Sequence, residues 1–369
     1  MGGAIFEARS GASRLVVAAG EWPAFAVTGF AKRLPLAGHS GWRDPMKYTR
    51  LGSTGLEVSR LCFGCMTYGT PNEQRPWILR EDEARPLMRA GYEAGINFFD
   101  TANSYAGGTS EEIVGTVLAE LAPREELVIA TKVYNRMRPG PNGAGLGRKA
   151  IMAEIDNSLR RLKTDYVDLY QIHRADPNTP FEETMEALHD VVKAGKARYI
   201  GASSMWAWQF AKYQYAAERN GWTRFVSMQN QVSLTYREEE REMLPLCAAD
   251  GIGVMPWSPL GGGRLTRPWG QRTPRSTTDI YNKSMYDNET NGMKDVVEAL
   301  EKLSAARGVP MAQLALAWVL AKPVVTAPII GISRTGQLDD ALAALDLVLQ
   351  PEDIEQIETP YRPLRPSGF

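Results

Sequence analysis

Ile96-Asn97-Phe98-Phe99-Asp100, followed at Ser110-Glu111-Glu112-Ile113-Val114-Gly115 by the opening of a helix, is the stretch that decides the fold. A short apolar, aromatic run of this kind reads as a buried strand. Ser110 is an N-cap residue type, and Glu111 and Glu112 fall in the first turn, where acidic side chains complement the exposed amide end of the helix. Strand followed by helix is one βα unit, and the unit recurs in both directions. Upstream, residues 61–64 read as a strand and 81–94 as a helix stopped by Gly95. Downstream, strands at 127–130, 167–172, 197–200, 225–228, 253–256 and 325–330 alternate with helices near 149–162, 181–192, 206–219, 238–249, 293–320 and 337–345. The helical stretch 293–320 is interrupted near Gly308 and Pro310. Eight such pairs close a (β/α)8 TIM barrel, with a doubly wound α/β sheet as the structural rival. Residues 48–60, with a turn at 52–55, read as a β-hairpin placed before the repeating units.

Composition narrows the setting. In 369 residues, 42 Lys+Arg nearly cancel 43 Asp+Glu. That balance argues against a broad nucleic-acid-binding face, while leaving room for a local basic pocket. Cys62 and Cys65 form a C-x-x-C inside the apolar run Leu61 to Met66. Positions three apart in a strand point to opposite faces, which suits neither a zinc site nor a redox pair, so buried structural thiols in a reducing, cytoplasmic setting are expected. Residues 1–45 carry scattered arginines and no clear period, and their longest apolar stretch, 15–19, is soon cut by Glu21. It is too short to span a membrane and makes a poor signal-peptide core. The expectation is an upstream extension or a misassigned start, with Met46 as the natural one and a targeting peptide as the alternative; 46–369 is then one barrel domain. The irregular stretch 258–292 is long enough to read as a functional loop.

In a (β/α)8 barrel the active site lies at the C-terminal strand ends. Asp100 ends the second strand, Lys132 the third and His173 the fourth, and Tyr105 lies five residues beyond Asp100. The set suits carbonyl reduction. Hydride addition leaves an alkoxide that needs a proton, and a phenol, ordinarily titrating near ~10, gives one up more readily beside a cation. Tyr105 is the donor in this reading, Lys132 the cation, Asp100 its counter-ion, and His173 polarises the carbonyl or orients the substrate. Taken singly, each has a plainer explanation: a helix cap, a surface charge, a structural histidine, a packed aromatic. Their arrival together on one rim is what carries weight.

Asp100-Thr101-Ala102-Asn103-Ser104-Tyr105 with Gly115, Thr131-Lys132 and Gln171-Ile172-His173 resemble the signature of the aldo-keto reductase family, and the resemblance runs from about Met46 to the C-terminus. It implies a barrel whose N-terminal hairpin caps the bottom, with NADPH/NADP+ extended across the C-terminal rim and no Rossmann domain. By the same resemblance Ser203, Ser204 and Gln229 hold the nicotinamide amide and Trp257 stacks on its ring. Ser258, Leu260, Gly262 and Arg264 cradle the pyrophosphate. Gly331, Ser333, Arg334, Gln337 and Asp340 form the adenosine 2′-phosphate and adenine site. Arg334 favours NADPH over NADH, because a guanidinium pairs with a phosphate better than with a hydroxyl. The chain departs from the family pattern at Ser204, where many members have Asn, and at Gln337 and Ala341, where Arg and Asn are usual.

Glycines 140, 143, 145 and 147 lack the G-x-G-x-x-G spacing, and Gly261-Gly262-Gly263 is not followed by Gly-Lys-Ser/Thr. With only His39, His173 and His189, no histidine-based metal site is expected. The aromatic group Trp206, Trp208, Tyr213 and Tyr215 has no basic surround, so it reads as packing rather than as a nucleic-acid platform. Within the family, segments 201–205, 236–244 and 360–369 resemble a bacterial subgroup variously named aryl-alcohol dehydrogenases, general aldo-keto reductases and 1-deoxyxylulose 5-phosphate synthase-like proteins. The expected function is reversible NADPH-dependent reduction of small aromatic or aliphatic aldehydes and ketones, in an apolar pocket shaped by Trp77, Trp206 and the 258–292 loop. Oligomeric state and substrate identity are left open. Two rivals stand beside it. One is an enzyme forming 1-deoxy-xylulose 5-phosphate from a pentulose phosphate, with Arg136, Arg138 and Arg174 as candidate phosphate ligands. The other is a cofactor-binding, redox-sensing regulatory subunit, against which the intact Asp100–Tyr105–Lys132–His173 set argues.

Overall fold

Period-two alternation of side chains decides which way each strand faces, and here it separates an inner core from an outer one. The computed structural model describes residues 46–73, 75–271, 273, 278–279 and 292–366. The expected leader 1–45 and most of 272–291 lie outside the described residues. Strands β1 (Tyr48–Arg50) and β2 (Glu57–Ser59) pair antiparallel as the expected hairpin. The repeating units follow: β3 (Cys62–Gly64), α1 (Glu81–Glu93), β4 (Phe98–Asp100), α2 (Thr109–Leu121), β5 (Val128–Val133) and α3 (Arg148–Leu162). Next come β6 (Val167–Ile172), α4 (Phe181–Lys193), β7 (Ala197–Ser203), α5 (Ala207–Asn220), β8 (Phe225–Gln229), α6 (Met243–Ala249) and β9 (Gly253–Val254). Numbered within the described residues, α7 (Met293–Arg307), α8 (Met311–Leu320), β10 (Ile329–Gly331), α9 (Thr335–Ala343) and α10 (Pro351–Glu358) complete the chain.

The strands β10-β3-β4-β5-β6-β7-β8-β9 form one eight-stranded sheet, every neighbouring pair parallel. The segment before β10 closes it, because Thr326 N donates to Val254 O (2.9 Å) and Ile329 N to Pro256 O (2.8 Å). The result is a (β/α)8 barrel, as the sequence predicts. Cys62, Phe98, Val128, Ala130, Leu169, Met255 and Ala327 meet inside it, packed with Leu51 and Val58 of the hairpin. The hairpin plugs the N-terminal end, where Ser53 N also donates to Gly251 O, just ahead of β9 (2.8 Å). On the opposite parity, Phe63, Phe99, Ile129, Tyr170 and Ile172 pack outward into the larger core beneath the helices. Gly115 on α2 allows close packing there, since a Cβ would come within 2.4 Å of Leu162 O.

Where expectation and structure differ, backbone chemistry supplies the reason. The expected helix 238–249 is a 3-10 turn, Glu238–Glu240, followed by α6, whose early Pro245 is tolerated in a first turn. The stretch 293–320, by contrast, breaks where expected, into α7 and α8 at left-handed Gly308 (φ 62), with Pro310 as the next cap and a bend of 105°. Pro328 lacks the amide a ladder needs, so regular pairing of the last strand starts only at Ile329. Helix α10 was not expected, being only eight residues long. Among the described residues no single helix is long and apolar enough to cross a membrane.

Candidate active site

Inward parity continues up each strand to its C-terminal end. Asp100 follows Phe98, Lys132 follows Val128 and Ala130, and Gln171 and His173 follow Leu169, so these polar side chains turn into the mouth above the apolar plug. Lys132 is fully buried. Its ammonium sits 2.5 Å from Asp100 Oδ2, 2.8 Å from Thr101 O and 3.2 Å from Tyr105 Oη. That occupies all three ammonium protons. Burial pulls the Lys132 ammonium down, but Asp100 and Tyr105 outweigh burial and hold it above its ordinary value. The other Asp100 oxygen accepts from Gln171 Nε2 (3.0 Å) and Gln229 Nε2 (2.9 Å). A buried ion pair of this kind is sustainable because its remaining lone pairs are satisfied.

Tyr105 opens a 3-10 turn in which Ala106 (φ 48) and Gly107 (φ 68) are left-handed. The loop is held from behind by a buried polar chain. Asn103 N donates to Lys132 O (3.2 Å), Asn103 Nδ2 donates to Glu154 Oε2 (3.0 Å), and Arg161 Nε donates to Glu111 (2.6 Å), which also accepts from Thr131. Burial raises the Glu111 carboxyl despite Arg161. The ring of His173 stands 5.7 Å from that of Tyr105, edge on. Its Nδ1 lies 3.1 Å from Asn135 Nδ2, which is also 3.0 Å from Ser104 Oγ. Burial first, then Lys132 and Arg174, pushes the His173 imidazolium well below its ordinary range. The four expected residues therefore form one cluster; Asn135, Gln171 and the Asn103–Glu154 support were missed.

The remaining expected residues line the same rim on the β7–β10 side. Ser203 Oγ donates to Gln229 O (2.9 Å), and Trp257 Nε1 donates to Ser204 Oγ (2.9 Å). Ser204 (φ 37) and Ser258 (φ 50) are left-handed without being glycine, a strain that collects at functional loops. Leu260 caps the 3-10 run Gly261–Thr266, where Gly261, Gly262 and Gly263 take φ of 58, 62 and 91. Arg267 lies beyond it, lowered by burial and then by the nearby charges of Arg334 and Arg264. Three guanidiniums so gathered, beside a glycine-rich turn, fit a ligand carrying several phosphates. Arg267 was missed too; only its place three residues after Arg264 hints at it. Gly331 and Arg334 stand exposed at the entry to α9. Ser333 N (2.7 Å) and Ser333 Oγ (3.1 Å) both contact Gln337 Oε1, and Gln313 Nε2 donates to Asp340 (2.9 Å), so Gln337 and Asp340 also serve the scaffold. Trp77 is half-buried and Trp206 is 44% exposed. Arg136 and Arg138 spend their guanidiniums on carbonyls of their own loop.

The sequence profile of the aldo/keto reductase family matches residues 60–361. Versiconal hemiacetal acetate reductase of Aspergillus parasiticus is 44% identical over 338 residues, covering 86% of this chain and 98% of that one. A Schizosaccharomyces pombe protein provisionally named aryl-alcohol dehydrogenase is 43% identical over 350 residues, covering 88% and 98%. An aldo-keto reductase of Alternaria alternata is 42% identical over 341 residues, covering 85% and 92%.

Proposed function

The chain belongs to the aldo/keto reductase family, and from that premise we propose that it is an NADPH-dependent reductase of aldehydes and ketones, working reversibly, with Tyr105 as proton donor. The observation that carries this reading is the buried ammonium of Lys132, held between the carboxylate of Asp100 and the hydroxyl of Tyr105. When bound, the reduced nicotinamide supplies the hydride that converts the carbonyl carbon to an alkoxide carbon. Tyr105 gives its hydroxyl proton to the alkoxide oxygen and is left as a phenolate. Lys132, 3.2 Å away and kept charged by Asp100, stabilises that phenolate, and in the alcohol-oxidising direction the same phenolate takes the proton back. His173 holds the carbonyl oxygen against Tyr105. On the cofactor side, Ser203, Ser204 and Gln229 would meet the carboxamide and Trp257 the ring. Ser258, Leu260, Gly262 and Arg264 would meet the pyrophosphate, and Gly331, Ser333, Arg334, Gln337 and Asp340 the adenosine end. The convergence of Arg264, Arg267 and Arg334 supports NADPH over NADH. The reductase and aryl-alcohol dehydrogenase names of the relatives support an aromatic carbonyl, or its alcohol, as substrate class.

The test is NADPH oxidation by wild type and Tyr105→Phe against aromatic aldehydes, aliphatic aldehydes and sugar phosphates. Turnover of a carbonyl, with Tyr105→Phe down about 10²–10⁴-fold yet still binding NADPH, supports the reading. Binding of NADPH by both proteins with oxidation by neither would sink it. Turnover of a pentulose phosphate without net redox change would point instead to the sugar-phosphate enzyme, for which the self-tied Arg136 and Arg138 offer no support.

A further inference from the structure

We infer that Asn135 is a positioning residue that fixes His173 as a neutral imidazole carrying its proton on Nε2. This deepens the reductase reading and rests on it for its catalytic consequence. Asn135 follows β5 by two residues, and its amide nitrogen meets two acceptors at once: Ser104 Oγ at 3.0 Å and His173 Nδ1 at 3.1 Å. A primary amide has two protons and can satisfy both. Donation from Asn135 requires a lone pair on Nδ1, so the neutral ring must hold its proton on Nε2, which has no protein partner among the described residues. The ring's charged neighbours favour neutrality. Lys132 of β5 lies close by, Arg174 follows in sequence, Tyr105 stands edge-on from the loop after β4, and Asp100 is turned to Lys132. His173 is thus a hydrogen-bond donor to a carbonyl oxygen and not a competing proton source. Ser104 adjoins Tyr105, so a single amide ties the orienting histidine to the loop that carries the acid.

His189 provides an internal standard, because its Nδ1 accepts the backbone N–H of Thr223 at 3.1 Å and its tautomer is set by that bond. Long-range proton–nitrogen correlation spectra of the histidine-labelled full chain, with and without NADPH, read the ring nitrogens directly; His173→Gln identifies the signal. An unprotonated Nδ1 and a protonated Nε2 are expected for His173 from about pH 6 to 9. A protonated Nδ1 in the wild type would mean that the amide presents its oxygen to the ring, and the inference would be overturned. The kinetic arm uses Asn135→Asp. Its carboxylate accepts from Nδ1, so the ring donates through Nε2 only while it is an imidazolium and presents a lone pair to the carbonyl once neutral. The kcat/KM of the variant relative to wild type should therefore fall as pH rises, by about 10–100-fold across the titration, with NADPH affinity unchanged. A ratio flat with pH would refute the assignment, since lost packing alone has no reason to titrate. Asn135→Ala, which removes the amide, should give a mixed tautomer signal even if Asn135→Asp fails to fold; an unmixed one counts against the inference. The spectra need no substrate, so failure of the tautomer assignment is separate from failure of the reductase reading, which appears as no NADPH oxidation by wild type.

Discussion

At the scale of single residues, the feature that most constrains behaviour is the fully buried Lys132 ammonium and its 2.5 Å contact with Asp100. Breaking such a pair from one side strands the other charge, which typically costs about 3–5 kcal/mol. Asp100→Asn should thus lower stability by roughly that amount and reduce turnover by at least about 10²-fold, because a desolvated lysine without its counter-ion gives up its proton and can no longer steady a Tyr105 phenolate. Urea unfolding and kcat on the same preparation measure both. Equal turnover by this variant and wild type would contradict the role given to Lys132. The sign of the linkage also follows. Lys132 is held above its ordinary value, so its contribution is complete at neutral pH and is lost only as pH climbs through the strongly alkaline range. Between pH 6 and 8 this pair should therefore add no slope of its own to the stability curve.

At the scale of elements, the 3-10 segment Glu238–Glu240 between β8 and α6 carries a second titratable feature. Glu239 is buried against Asn230, whose Nδ2 it accepts at 3.1 Å, and burial, then Glu238, pushes its carboxyl up to about 8. A carboxyl raised in the fold keeps its proton while the unfolded chain loses one, so stability falls as pH rises from the ordinary carboxylate range to about 8, and then levels. Glu239→Gln keeps the acceptor and removes the titration. Its melting temperature should sit near wild type at about pH 5 and exceed it increasingly toward pH 8, by on the order of a few kcal/mol in stability. Parallel curves would show that Glu239 is ionised throughout. This segment also shows where sequence reading fails. The sequence predicts a charged helix over 238–249, yet its first residue, Glu238, is closed over by Tyr361 Oη (2.6 Å) and Leu364 N (2.8 Å) from the far end of the chain. Glu111 misled in the same way. It reads as a first-turn acid serving the helix end, and is in fact fully buried against Arg161, 50 residues on. Strand parity, by contrast, is local, and it carried Asp100, Lys132 and His173 to one mouth directly. What period and caps express was legible; what depends on a partner far along the chain, such as Asn135 on His173 or Gln313 on Asp340, was not.

At the scale of the whole molecule, the barrel divides its labour by direction. The hairpin residues Leu51 and Val58 fill the N-terminal end, and the polar side chains gather at the C-terminal mouth, where ligands of such barrels bind. Around that mouth the β3–β6 half holds Asp100, Tyr105, Lys132 and His173. The loop after β9 and the entry to α9, where Arg264, Arg267 and Arg334 gather, supplies the cationic half. A ligand spanning the two should couple them and stabilise the closed barrel by mass action, about 2.7 kcal/mol at a hundredfold excess over its Kd. The expected result is a melting temperature several degrees higher with NADPH and distinctly less raised by NADH at equal concentration. Arg334→Ala and Arg267→Ala should each shrink that difference, leaving the NADH shift nearly unchanged, since only the 2′-phosphate loses a guanidinium. If Arg267→Ala lowers both shifts equally, Arg267 serves the pyrophosphate that the two cofactors share. If neither variant alters the difference, preference for NADPH does not lie in this cluster, and the adenosine end must be held by other groups on the rim.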